Sequence, residues 1–408
     1  MFTVNHRTYQ PLATPVVVIC LDGSADEYLD CALVRGLMPN VARISVQGWR
    51  GLARAAMPTF TNVNNSSIVT GVAPSVHGIG GNFFFDTASG QEVMMNSAKF
   101  LRAETIFPPA QRAGRKVAVV TAKEKLRDIF ASGLIGEGGM AFSSEKAKHA
   151  QPATHGIGEV EALVGPTPEI YSADASLYVL KAGVALLESG RADFLYLSTT
   201  DYMQHKHAPA EPEALAFYAA IDAEIGRLLA LGAVIGITAD HGMNAKQRSD
   251  GSPNVIYLES ELVQQFGEGF RVILPITDPY VAHHGSLGSF AQVHLPPGLE
   301  AGEVRDWLLR RTGVVECHDR ATAARLMELP EDRMGDLVVV SGRDVVLGRT
   351  PAYHDLTALA GRLRSHGGRH EEMVPLIFSR PLSAAYAARA MGDVRNFDIF
   401  EFTCNGTH

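Results

Sequence analysis

Cysteine is scarce in this chain: four in 408 residues (Cys20, Cys31, Cys317, Cys404), with no CxxC spacing. That excludes a thiolate metal knuckle and a disulfide-stapled scaffold, and predicts buried thiols in a reducing compartment. Long apolar runs are also missing, so no membrane span is expected. The opening residues, Met1-Phe-Thr-Val-Asn-His-Arg7, lack a signal-peptide pattern, and the expected location is cytoplasmic. Positive charge is in deficit, with 36 Lys and Arg against 44 Asp and Glu, a net charge of −8. This balance argues against generic affinity for nucleic acid or an anionic membrane. An anionic substrate would have to be drawn in by local cations. Charged residues at 20% and hydrophobic ones at 46% exclude a disordered chain. Neither internal repeats nor low-complexity segments occur.

What the sequence does have is a series of short apolar runs, each followed by polar residues suited to chemistry. Val16–Leu21, Lys116–Thr121, Phe194–Ser198 and Val234–Ala239 lack clean alternation, which predicts strands buried on both faces of a parallel sheet. Between the last two a helix is expected. Its apolar face would be Leu215, Tyr218, Ile225, Leu228 and Leu229, with Pro212 near its start and Gly232 past its end. Strand, helix, strand at this spacing is a βαβ unit, and the fold class expected is an α/β sandwich. The stretch 266–355 reads differently, with an alternating strand over Ser289–Leu295, a helix near Val304–Arg311 and a strand over Asp336–Val340. Val374–Phe378 then returns to buried-strand composition. The expected division is a core of 1–265 with 356–408, and an inserted α+β cap of 266–355.

Asp22, Asp201, Asp240 and His241 follow predicted strand ends, where ligands gather in open α/β sheets. His205 lies four residues after Asp201, on the same face of a helical turn, and His366 comes downstream in His366-Gly-Gly368. Three Asp and three His can fill two adjacent metal sites. Nitrogen and carboxylate ligands without thiolate suit zinc or another borderline divalent ion. Two such ions about 4 Å apart suit in-line displacement at phosphorus. Each piece also has a bland reading: Asp22 and Asp240 as helix caps, Asp201 and His205 on a solvated turn. His207, His283, His284 and His370 lack supporting spacing and are left out of the ligand set. Thr61, in Met57-Pro-Thr-Phe-Thr61-Asn, would stand just before a short helix ending near Gly71. A hydroxyl there could act as a nucleophile or simply cap the helix.

Together these pieces resemble the alkaline phosphatase superfamily, in its threonine-nucleophile branch, and within that branch the phosphonoacetate hydrolases. The likeness runs through Leu21-Asp22-Gly23, Pro58-Thr-Phe-Thr61-Asn62, Ser75-Val-His-Gly-Ile79 and Gly81-Asn82-Phe-Phe-Phe-Asp86. It continues through Val119-Val-Thr-Ala-Lys123-Glu-Lys125, Leu197-Ser-Thr-Thr-Asp201, Gln204-His-Lys-His-Ala-Pro209, Thr238-Ala-Asp-His-Gly-Met-Asn-Ala-Lys246 and Arg364-Ser-His-Gly-Gly368. The resemblance implies an alkaline-phosphatase-like three-layer sandwich with a mostly parallel central sheet and a smaller inserted cap. It implies two Zn2+ per chain, one held by Asp201, His205 and His366, the other by Asp22, Asp240, His241 and the Thr61 hydroxyl. Thr61 would be the catalytic nucleophile, and Asn82 would bind a phosphonyl oxygen. Lys123 and Lys125, just past the strand Lys116–Thr121, would hold the substrate carboxylate; otherwise they are solvated surface lysines. The reaction implied is hydrolysis of the carbon–phosphorus bond of phosphonoacetate to acetate and phosphate through a phospho-threonine. The expected partner is a small-molecule phosphonate, with a homodimer left open. Two departures stand out: Val63 where the resemblance leads one to expect proline, and His370 as an extra histidine near His366. The alternative is a phosphodiesterase or nucleotide pyrophosphatase of the same superfamily, which would need an aromatic slot in place of the lysines. A phosphate-transferring mutase and a metal-stabilised binding protein are further readings.

Overall fold

The computed structural model describes residues 1–278, 284–359 and 362–407; His283 lies outside them. Seven strands form one mixed sheet, in the spatial order Trp49–Arg54, Met373–Phe378, Val234–Thr238, Val16–Cys20, Phe194–Ser198, Val117–Thr121, Met140–Ser143. The four ladders from Val234–Thr238 to Met140–Ser143 are parallel. Met373–Phe378 joins antiparallel to Val234–Thr238, and Trp49–Arg54 pairs antiparallel with it. The predicted strands thus fall within one residue of the observed ones.

The apolar runs are continuous because both faces of the sheet are covered. Val17, Ile19, Leu195, Leu197, Ile235 and Ile237 point into one apolar layer. Val16, Val18, Cys20, Phe194 and Tyr196 point into the other. The result is a three-layer α/β sandwich. The helix Pro212–Ala230 opens on a proline, where the missing N–H costs nothing. Its buried face is Ala214, Phe217, Tyr218, Ile221, Ile225 and Leu228, while Leu215 and Leu229 sit at the margin. The sequence reading therefore missed Phe217 and Ile221.

Between Val234–Thr238 and Met373–Phe378 the chain builds a second, antiparallel sheet, ordered Arg271–Ile273, Phe290–His294, Leu337–Ser341, Val314–Asp319. Its core holds Phe290, Val293, Val304, Leu308, Val338 and Val340. Phe60 and Val63, which flank Thr61, pack into this same core, as do Leu258 and Leu262. The division at 266–355 stays a proposal, but the small sheet clearly rests on the segment that carries Thr61. Among the described residues no helix is long and apolar enough to cross a membrane.

Candidate active site

The parallel strands deliver their side chains to one edge. Asp22 follows Val16–Cys20, Asp201 follows Phe194–Ser198, Asp240 follows Val234–Thr238, and Lys123 follows Val117–Thr121. Gly23, at φ +70°, turns the chain immediately after Asp22; a Cβ there would sit 2.8 Å from Asp201 Cβ. Glycine is needed for both reasons. Gly367, at φ +114°, plays the same part after His366, where a Cβ would lie 2.4 Å from the Phe60 ring.

Asp201 stands at the N-cap of the helix Tyr202–Lys206, so Asp201 and His205 share a face as their spacing suggested. His205 Nε2 lies 2.9 Å from Asp201 Oδ2, and His366 Nε2 lies 3.7 Å from the same oxygen. His241 Nε2 is 3.3 Å from Asp22 Oδ1, 3.8 Å from Asp240 Oδ2 and 3.3 Å from Thr61 Oγ1. Within this cluster two sets of ligand atoms each fall within 4.8 Å of one another: Asp201, His241 and His366, and Asp22, Asp240 and His241; a third, partly exposed set is His207, Glu211 and Glu213. His241 belongs to the first two, and its ring stacks on that of His366 at 3.6 Å and 6°. His370 is exposed, whereas His366 is buried. His207 is half-buried against Glu211, 3.1 Å away.

Each clustered histidine is oriented by a backbone carbonyl. His205 Nδ1 donates to Arg364 O at 2.7 Å, His241 Nδ1 to Gly242 O at 2.9 Å, and His366 Nδ1 to Thr59 O at 2.7 Å. A carbonyl only accepts, so Nδ1 carries a proton, and in the neutral ring Nε2 presents a lone pair to the cluster. Among the described residues, neither Asp22 oxygen nor Asp201 Oδ1 has a hydrogen-bond partner, and all three are buried. Unpaired buried carboxylate oxygens are costly unless a cation meets them. Burial first, then Asp201 and Asp240, push the Asp22 carboxyl well above its usual range. Burial disfavours the Asp201 anion, yet Lys123 and His205 hold its carboxyl well below the usual range. Against its own burial, His241 is driven up to about 10 by Asp240 and Asp22. The carboxylates therefore demand positive charge at this point, and the donor set fits divalent ions with N and O ligands.

Thr61 is the first residue of the helix Thr61–Thr70, not its N-cap; Phe60 occupies the cap without a side-chain bond. The bland role foreseen for Thr61 is absent, and its hydroxyl faces His241. All ten residues of this helix are buried. Val63 lies in its first turn, where the backbone N–H has no helical partner, so either valine or proline would fit there. Asn65, one turn on, was not foreseen. Its Nδ2 donates to Asp240 Oδ2 at 2.9 Å and to Thr61 O at 3.2 Å; its Oδ1 accepts from Tyr196 Oη at 2.6 Å and Ser198 Oγ at 2.9 Å.

A narrow cavity opens beside Thr61, lined also by Asn82, Lys123, Lys125, Asp201 and His366. The lysines are not solvated surface residues: their side chains are only 13% and 20% exposed. Lys123 Nζ lies 3.6 Å from Asp201 Oδ1, and Lys125 Nζ contacts the Asp278 carboxylate. Burial and Lys123 pull Lys125 down to about 7, against the opposing pull of Asp201, Asp22 and Glu145. Asp278 and His284, both from the small-sheet segment, also line it, beyond the residues to which the sequence pointed. His284 is buried, with its ring 5.4 Å from that of His205. A wider vestibule of about 270 Å³ adjoins the cavity at Lys123, Lys125 and Asp278, with Ile170 and Tyr171 on its wall.

Comparison with known proteins follows the same lines. Residues 16–370 match the family model of type I phosphodiesterase / nucleotide pyrophosphatase. Venom phosphodiesterase of Macrovipera lebetinus is 26% identical over 226 residues, 53% of this chain and 23% of that protein. Ectonucleotide pyrophosphatase/phosphodiesterase family member 1 of Rattus norvegicus is 27% identical over 225 residues, 53% of this chain and 21% of that protein. The matched stretch thus spans less than a quarter of these curated relatives. Among solved structures, phosphonoacetate hydrolase from Sinorhizobium meliloti 1021 in complex with phosphonoacetate superposes with a TM-score of 0.93 at 48% identity, covering 99% of this chain and 98% of that one. The same enzyme with phosphonoformate gives 0.94 over the same coverage. Murine ectonucleotide pyrophosphatase / phosphodiesterase 5 shares the fold, with a TM-score of 0.59 at 18% identity over 89% of this chain and 87% of that one. The alkaline-phosphatase-like sandwich expected from the sequence is the fold observed.

Proposed function

The chain belongs to the type I phosphodiesterase / nucleotide pyrophosphatase family, and we propose that within it the chain hydrolyses the carbon–phosphorus bond of phosphonoacetate. One observation carries this reading: Thr61, Asn82 and two partly buried lysines line a single cavity beside Asp201 and His366. The 48% identity to a phosphonoacetate hydrolase, over nearly the whole of both chains, supports it. The reading assigns Asp201, His205 and His366 to one Zn2+, and Asp22, Asp240, His241 and the Thr61 hydroxyl to the other. Such ions would supply Lewis acidity to the phosphonyl oxygens and favour ionisation of a nearby hydroxyl.

The remaining work falls to this chain's own side chains. Thr61 Oγ attacks phosphorus; the new O–P bond forms as the C–P bond breaks. The bonding pair passes to carbon and spreads into the adjacent carboxylate as an enediolate. Lys123 and Lys125 stabilise that growing charge, which is the hardest demand of a carbon leaving group. The Asn82 amide, whose Nδ2 has no partner among the described residues, donates to a phosphonyl oxygen. The proton that the Thr61 hydroxyl gives up, or its equivalent from solvent, adds to carbon and gives acetate. Water then attacks the phospho-threonine, breaks its O–P bond, and returns Thr61 and phosphate. Four free cysteines are in keeping with a cytoplasmic setting.

A nucleotide phosphodiesterase is the second reading, favoured by the vestibule wall of Ile170 and Tyr171. An assay on zinc-loaded protein separates the two, reading phosphate from the phosphonates and nitrophenolate from a diester. Phosphonoacetate, a phosphonate without the carboxylate, and a nitrophenyl phosphodiester are offered in parallel. Phosphonoacetate is expected to turn over fastest of the three; faster turnover of the diester would replace the proposal with the second reading. Light scattering distinguishes a monomer from a homodimer.

A further inference from the structure

Lys246 is a fully buried lysine outside the cavity. Its three donors are all used: Glu371 Oε1 at 2.9 Å, Ser289 Oγ at 2.8 Å and the Arg343 carbonyl at 2.7 Å. Glu371 is equally committed. Its Oε1 also accepts from Asn244 Nδ2 at 2.6 Å, and its Oε2 from Gly368 N at 3.0 Å. Its own carbonyl accepts from Gly242 N at 2.8 Å. Gly242 directly follows His241, and Gly368 lies two residues past His366. Ser289 closes the ring, since its N–H donates to the His366 carbonyl at 2.9 Å.

One ion pair therefore joins the loop of Asp240 and His241, the loop of His366, and the small antiparallel sheet. Between those two loops lie the imidazoles stacked at 3.6 Å. A buried ion pair contributes little net stability compared with apolar residues of the same shape. Its worth here lies in geometry, because charged hydrogen bonds in a low dielectric hold their partners within narrow limits.

We propose that Lys246 and Glu371 are positioning residues that set the distance between His241 and His366, and so the spacing of the two groups of metal ligands. They touch neither substrate nor ligand atoms and act through the two loops. The spacing role rests on the two-ion reading above; the placement of the loops does not.

The test uses the full chain and three variants: Glu371→Gln, Lys246→Met, and the double variant Lys246→Met/Glu371→Met. Far-UV circular dichroism and thermal melting report folding. Chelator competition reports metal affinity, and Co2+ loading gives a d–d spectrum sensitive to ligand geometry. In metal-free protein, ring-current shifts of the His241 and His366 imidazole resonances report the stacking without any ion. Folded variants are expected to bind at least one ion about 10- to 100-fold more weakly, with an altered Co2+ spectrum and displaced imidazole resonances. Should the single variants unfold, the double variant decides, because it leaves no unpaired buried charge. A folded double variant with wild-type affinity, spectrum and imidazole shifts would overturn the proposal. Wild-type protein that fails to bind two ions would instead overturn the two-ion reading, and the imidazole shifts would still test the placement of the loops.

Discussion

Replacing Lys125 by methionine keeps the length of the side chain and removes its charge. Lys125 is the cleaner of the two lysines to perturb, because Lys123 lies 3.6 Å from Asp201, a proposed metal ligand, whereas Lys125 contacts Asp278. The role proposed for it is to meet charge that develops on the departing carboxymethyl carbon. Removing one preorganised donor from such a site costs about 2.7–4 kcal/mol, or roughly 10²- to 10³-fold in kcat. A nitrophenyl phosphate ester needs no such help, since its leaving group is already stable as an anion. Turnover of that ester should fall by less than about tenfold. The Asp278 carboxylate, left without Lys125, would repel an anionic substrate. Lys125→Met/Asp278→Asn removes that repulsion, so comparing the two variants isolates the lost donor. The assay is phosphate release from phosphonoacetate and nitrophenolate release from the ester, each over a range of substrate concentrations. Equal losses on both substrates, or none on either, would refute the assignment and favour the phosphodiester reading. The same comparison applies to Lys123→Ala, with metal content measured alongside.

Three further outcomes are expected. Metal analysis of the native protein should give two zinc ions per chain, with chelation abolishing turnover; His366→Ala should lower the occupancy of one site, and full activity with one ion or none would contradict this. Thr61→Ala should keep its metals yet lose turnover by several orders of magnitude, whereas a near-normal rate in the phosphate-release assay would point to direct attack by water. His77 is buried and neutral, accepting from Ile79 N at 3.1 Å and donating to Ser67 Oγ at 2.8 Å, and burial pushes it from 6.5 down to about 3. Its contribution to stability is therefore intact above pH 6.5 and is lost as pH falls toward 3, at up to about 1.4 kcal/mol per pH unit; urea midpoints at pH 7 and pH 5 should differ less in His77→Gln than in wild type, and an unchanged difference would rule out this origin.

The sequence by itself determined the sheet and the side chains that its parallel strands present. Strands covered on both faces must be apolar throughout, so Val16–Cys20, Phe194–Ser198 and Val234–Thr238 are recognisable without any partner. Asp22, Asp201 and Asp240 are fixed by following those strands, and His205 by its four-residue spacing on one turn. Local patterning could go no further. Asn65 meets Asp240 across 175 positions, Lys125 meets Asp278 across 153, and Lys246 meets Glu371 across 125. No periodicity links residues so far apart. The choice of His366 over His370, suggested by a motif, became a matter of geometry only when the loop after Arg364–Ser365 turned one inward and left the other in solvent. His241 shows the same limit: the sequence placed it beside Asp240, but its position between both ligand groups depends on a loop from the far end of the chain. Tertiary packing alone decides such contacts, because the free energy that fixes them comes from burial and charge shared between distant segments.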